Sequence, residues 1–182
     1  MMELLQIREG TVDPLEKARG EMGWLERLFS KLPGIAGYRE KEMRRDTDKL
    51  VRDTLVRELS ERRTKITAMQ NDLLAAGGLL WMDDIERVVG RLQLLIDRIR
   101  TASYGYAGFF DVQRVKEDAL DRLAEFDRAL FEELPRLDTA IESLAKAIET
   151  NEGIKEAVTA VGNILARLNE TFGKRTATMR ES

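Results

Sequence analysis

The sequence predicts an all-α protein: an antiparallel helical bundle of about four main helices, two long and two short, with a short amphipathic helix near the N-terminus. Charged residues make up 35% of the 182 positions, aromatics only 6%, and proline occurs three times, a balance that suits amphipathic helices and starves a β-sandwich of strand formers and turns. Apolar residues recur every three or four positions over most of the chain, which is the helical period. Neither Cys nor His is present, so no disulfide staples the fold, and 182 residues are enough to bury a continuous core without one.

Residues 1–21 are polar, carry Gly10, Pro14 and Gly20, and show no sustained period, so they read as a poorly ordered leader. Met22 opens "MGWLERLFSKLPG" in the manner of a natural amino terminus. Trp24, Leu25, Leu28, Phe29 and Leu32 fall on one helical face before Pro33 and Gly34 stop the helix. This short two-faced helix is expected either to lie as a lid on the bundle or to dock on a partner or membrane surface. Residues 22–173 are expected to form one bundle domain.

From Tyr38 to about Ala76 there is neither Gly nor Pro, and Val51, Leu55, Leu59, Ile66, Met69 and Leu73 form a seam along one helix of about 55 Å at 1.5 Å per residue. Arg62 falls on that seam, where an arginine is expected in an ion pair or as an anion contact. Gly77 and Gly78 close the helix, and the next one is expected to start on Asp83 or Asp84 and end near Arg100, with Ile85, Val88, Leu92, Leu95 and Ile99 facing inward. Leu79, Leu80, Trp81 and Met82 are expected to plug one end of the bundle.

Thr101 to Asp111, "TASYGYAGFFD", breaks the helical period with four aromatic residues, Tyr104, Tyr106, Phe109 and Phe110. These rings are expected either to cap the bundle against the Trp81 cluster or, if exposed, to form a binding patch, since rigid aromatics carry much of interface energy. A helix resumes at Val112, with Val115, Leu123, Phe126, Leu130, Leu134, Leu137, Ile141, Leu144 and Ile148 in its seam and Pro135 inside it as a bend or short break. Asn151 and Gly153 mark the next boundary. Ile154, Ala157, Val161, Ile164, Leu165, Leu168 and Phe172 then define a last helix, with Gly173 as its expected end and residues 174–182 as a mobile tail.

The chain presents little that reads as chemistry. Without imidazole or thiol, general acid–base, nucleophilic and transition-metal roles fall to carboxylates, Lys, Tyr, Ser and Thr, and none of these stands in a recognisable motif. Adjacent acids such as Asp83 with Asp84 and Glu132 with Glu133 diverge by about 100° on a helix and do not converge on one ion. No catalytic, cofactor-binding or metal-binding residue is therefore assigned, and no cofactor is expected. Lys and Arg total 30 against 33 Asp and Glu, with an isoelectric point near 5.3, which argues against nucleic acid as a partner. No apolar run approaches the roughly 20 residues that span a bilayer, so the expected location is cytoplasmic, at most at the inner face of a membrane.

The segment "ASYGYAGFFD", preceded by "RIR" and followed by a leucine-seamed helix, together with "GYREKEMRR" at the opening of the long helix, resembles a group of uncharacterised bacterial all-helical proteins associated with operons for SPFH, or flotillin-type, membrane-scaffold proteins. That resemblance implies a scaffold partner and carries no activity. More distantly, an amphipathic leader followed by long charged helices is similar in architecture to the phage-shock class of peripheral membrane proteins. The expectation is a non-catalytic helical interaction or scaffold protein, self-associating or peripheral to a membrane, whose candidate contacts are Trp24, Leu28, Phe29 and the aromatic turn. The alternatives are a small-molecule-binding bundle or cofactor-free enzyme built around Arg62 or Tyr104, and a single-stranded nucleic-acid binder.

Overall fold

A computed structural model describes residues 41–75, 77–102 and 117–181, all within the compact unit Leu32–Ser182. The expected leader, the helix expected around Trp24, Leu28 and Phe29, and the aromatic residues Tyr104, Tyr106, Phe109 and Phe110 lie outside the described residues. Those that are described form four α-helices and no strand: α1 (Lys41–Ala75), α2 (Met82–Thr101), α3 (Glu117–Thr150) and α4 (Ile154–Glu181), with one 3₁₀ turn at Leu79–Trp81.

The helices make two antiparallel hairpins, α1–α2 and α3–α4, lying side by side. Each helix packs on its hairpin partner and on one helix of the other hairpin, α1 on α3 and α2 on α4, so a circuit of the bundle reads α1, α2, α4, α3. Across the hairpins the paired helices run parallel, because Asp48 of α1 meets the α3–α4 pair at Asp127 and Arg175 while Arg62 meets Asp138. Both hairpin turns therefore sit at the same end of the bundle.

The expected seams fill the core. Val51, Leu55, Leu59, Ile66 and Leu73 of α1, Ile85, Val88, Leu92, Leu95 and Ile99 of α2, Leu130 to Ile148 of the α3 seam and Ile154 to Phe172 of α4 are all buried. Met69 and Phe126 are only half-buried. Each lateral interface carries a polar link near mid-height. Arg63 donates to Gln93 between α1 and α2, and Arg62 to Asp138 between α1 and α3. Arg98 Nη1 reaches Asn169 Oδ1 at 2.6 Å between α2 and α4, and Arg167 Nε reaches Glu133 Oε2 at 3.1 Å between α3 and α4. An apolar seam tolerates a slip by a turn, whereas a directional bond does not, so these links fix register.

Three boundaries differ from expectation. The start of α2 is not capped by Asp83 or Asp84: the 3₁₀ turn feeds directly into Met82, leaving both aspartates in the first turn, where they face the positive end of the helix dipole. Of the bend or short break expected at Pro135, the break is absent, since α3 runs from Glu117 to Thr150 with the proline inside. The largest correction concerns the C-terminus, because α4 passes through Gly173 and continues to Glu181, so residues 174–181 are helix rather than a mobile tail. Gly173 takes no positive φ, and the guanidinium of Arg98 lies across it, 3.3 Å from where a Cβ would sit. What holds the last turns is buried charge: Arg175 is 0% exposed and Met179 is buried beside it.

Candidate interaction surfaces

At the turn end, local sequence dictates the backbone. Gly77, at φ +75°, donates to Leu74 O at 3.1 Å and Gly78 donates to Leu73 O at 2.9 Å, the paired bonds of a Schellman C-cap with glycine in the left-handed position. Gly78 must also lack a side chain, because a Cβ there would lie 2.3 Å from Leu73 Cδ1. The second turn repeats the device with Asn151 at φ 54°, which donates to Ile148 O, while Glu152 donates to Ala147 O. Asparagine tolerates that conformation better than other residues with a side chain.

The glycine pair turns the chain so tightly that the following apolar residues project past the bundle end. Leu79 is 70% exposed and Leu80 79% exposed, with Leu74 also exposed and Trp81 and Met82 half-buried. The expected plug therefore does not include Leu79 and Leu80: the fully buried apolar core stops at Leu73 and resumes at Ile85, with Trp81 and Met82 half-buried between them. Thr101 and Glu117, which bracket the aromatic segment, lie at the opposite end of α2 and α3 from this turn, a distance of about 30 Å along 20 residues of α2.

Two lateral grooves run between parallel helices on opposite faces. The α2/α4 groove is cationic. It is lined by Arg87, Arg91 and Lys155 near the turns and by Leu94, Arg98 and Leu165 farther along, and Leu94 is 71% exposed. Asp84 pairs with Arg87 at 2.7 Å, and Arg98 stacks 5.6 Å from the Phe172 ring centre. The α1/α3 groove is acidic and apolar, lined by Met69, Asp72, Ala145, Ile148 and Glu149.

At the other end the bundle buries charge. Arg175 Nε donates to Asp127 Oδ1 at 2.5 Å and Nη2 lies 3.1 Å from Asp48 Oδ1, near enough to attract it but not aligned for a hydrogen bond. Asp48 also accepts from Arg52 Nε at 2.9 Å. The cluster ties α1, α3 and α4 together, and its members named here set two carboxylates against two guanidinium groups. Arg62 behaves likewise: Nη1 donates to Glu58 Oε2 at 3.0 Å and to Glu58 O at 2.9 Å, Nη2 to Asp138, and Nε has no hydrogen-bond partner among the described residues. Burial raises the Glu58 carboxyl, but hydrogen bonds and charge from Arg57 and Arg62 outweigh it, leaving its pKa below the ordinary value. Arg62 is thus held in ion pairs.

The sequence reading missed the Asp48, Asp127 and Arg175 cluster, although a signal was present. Asp127 falls between Leu123 and Leu130, and Arg175 between Phe172 and Met179, in positions the apolar period assigns to the core. Opposite charges recurring at seam positions of separate helices are the mark of a buried pair. Among the described residues no cluster of carboxylates has the geometry to hold a metal ion. No family model, curated protein or solved structure matches the chain.

Proposed function

We propose that this protein is a non-catalytic helical interaction module that acts in the cytoplasm or on the inner face of a membrane, with the tip of its first hairpin as a docking surface for another protein. The observation that carries the reading is the pair Leu79 and Leu80, 70% and 79% exposed on a turn whose backbone is fixed by hydrogen bonds. A rigid apolar tip loses little entropy on docking. Burying one leucine contributes about 2 kcal/mol, so two contribute roughly a thousandfold in affinity. Asp72 and Asp83, exposed on either side of the tip in the chain, favour a protein over an anionic lipid surface for this tip, because carboxylates are repelled by such a surface.

The resemblance of the aromatic segment to proteins associated with SPFH-type scaffolds supports the same class of role. Among the described residues no helix is long and apolar enough to cross a membrane, so contact with a bilayer through them would be peripheral.

The test is purification of the natively expressed chain beside a Leu79→Ser/Leu80→Ser variant, with the bound species identified and their stoichiometry measured. The wild type should carry a defined partner at fixed ratio, and the variant should lose it while keeping its helicity. A wild type without any stoichiometric partner, or a variant that retains it, refutes the tip as the docking surface.

A further inference from the structure

The two lateral grooves are complementary to each other. Both open near the turn end: Asp72 and Glu149 fall within the last turn of α1 and α3, and Lys155 and Arg87 within the first two turns of α4 and α2. They occupy opposite faces, because α1/α3 and α2/α4 are opposite sides of the four-helix circuit. Asp72 and Glu149 on one side, and Arg91 and Lys155 on the other, form no hydrogen bond or ion pair among the described residues. Arg91 extends across α2 onto α4, where Gly162 leaves its guanidinium room, 3.8 Å from the position of an added Cβ. Apolar groups accompany the charges on each side, Met69, Ala145 and Ile148 on the acidic face and the exposed Leu94 on the cationic one.

We propose that copies of this chain assemble face to back, the cationic α2/α4 groove of one copy seated on the acidic α1/α3 groove of the next. This rests on the reading of the protein as an interaction module but uses surfaces distinct from the leucine tip. The contact pairs two different patches, so it does not close on itself as a two-fold dimer does, and successive copies extend into a row. Opposite potentials at equal height along the bundle steer the encounter and set the register, while the apolar residues between the charges supply desolvated area. A second copy fits better than an anionic membrane for two reasons: the carboxylate of Asp84 lines the cationic groove, and a membrane would leave the acidic groove uncovered.

Sedimentation velocity of the full chain over a wide range of concentration, at low and high salt, tests the proposal. The expected result is a graded series beyond the dimer that grows with concentration and shrinks in high salt. Arg91→Glu/Lys155→Glu and Asp72→Lys/Glu149→Lys should each be monomeric alone, since each turns one interface into like-charge repulsion. Mixing the two should restore assembly, because each variant keeps one native face that matches a native face of the other. Both pairs are on the surface, so folding is unaffected. The Leu79→Ser/Leu80→Ser variant should still assemble, which separates failure here from failure at the tip. A wild type that stays monomeric overturns the proposal, as does a closed dimer that goes no further. So does association lost in the leucine variant and kept in the charge variants. A monomer whose Arg91 and Lys155 are instead needed to bind anionic-lipid vesicles also overturns it and assigns the groove to a membrane.

Discussion

The two ends of this bundle are built by opposite means. At the turn end, Gly77, Gly78 and Asn151 set the backbone through bonds that span five residues or fewer, and Leu79 and Leu80 are left in solvent. At the far end, Asp48, Asp127 and Arg175 are drawn from three helices and buried against one another. One end holds its shape locally and exposes apolar surface; the other buries charge and holds its shape only when distant segments meet. The difference bears on function. A docking surface benefits from a backbone rigid before its partner arrives, while buried ion pairs do more for registry than for net stability.

The largest expected effect tests the charged end. Arg175→Ala leaves Asp48 and Asp127 without their shared cation in a buried site, and unfolding by urea should show a loss of about 3–5 kcal/mol. Replacing Asp48, Arg52, Asp127 and Arg175 together with apolar residues of similar volume should recover most of it, and failure to recover would mean the cluster contributes more than its own pairing. At the turn end, Gly78→Ala should cost about 1–3 kcal/mol, because the new methyl would meet Leu73 at 2.3 Å and must displace it. An unchanged denaturation midpoint would show that the turn is less tightly set than the contrast requires.

Acid adds a third measurement. The Glu58 pKa is lower in the folded chain than in the unfolded one, so its contribution to stability is fully present above the unfolded value, about 4.3, and is lost as pH falls through the folded value. Stability followed by circular dichroism should fall below about pH 4.3, less steeply in Glu58→Gln than in the wild type. The smallest effect belongs to the tip: Leu79→Ser/Leu80→Ser should change stability by no more than about 0.5 kcal/mol, as exposed positions do. A larger loss would show that the leucines support the fold and are not free for a partner.

Much of the bundle was legible in its order of residues. The apolar period located the seams, and nearly every described residue expected in them is buried; Gly77 and Gly78 marked their turn as accurately. Periodicity fails where two explanations share one signal. Leu79 and Leu80 look like core residues by composition, but solvent exposure depends on where the 3₁₀ turn points them. Gly173 looks like a stop, yet a glycine ends a helix only when its backbone turns left-handed, and here the burial of Arg175 beyond it keeps the chain helical.

What the order of residues determined by itself was the helical class, the inward faces and the absence of thiol and imidazole chemistry, because period and side-chain type are local properties. Tertiary structure alone decided which helices lie side by side, which charges are buried in pairs, and that an acidic and a cationic groove face opposite ways. Those depend on contacts between residues dozens of positions apart, such as Arg62 with Asp138 and Asp48 with Arg175, and no window short enough to show a period contains both partners.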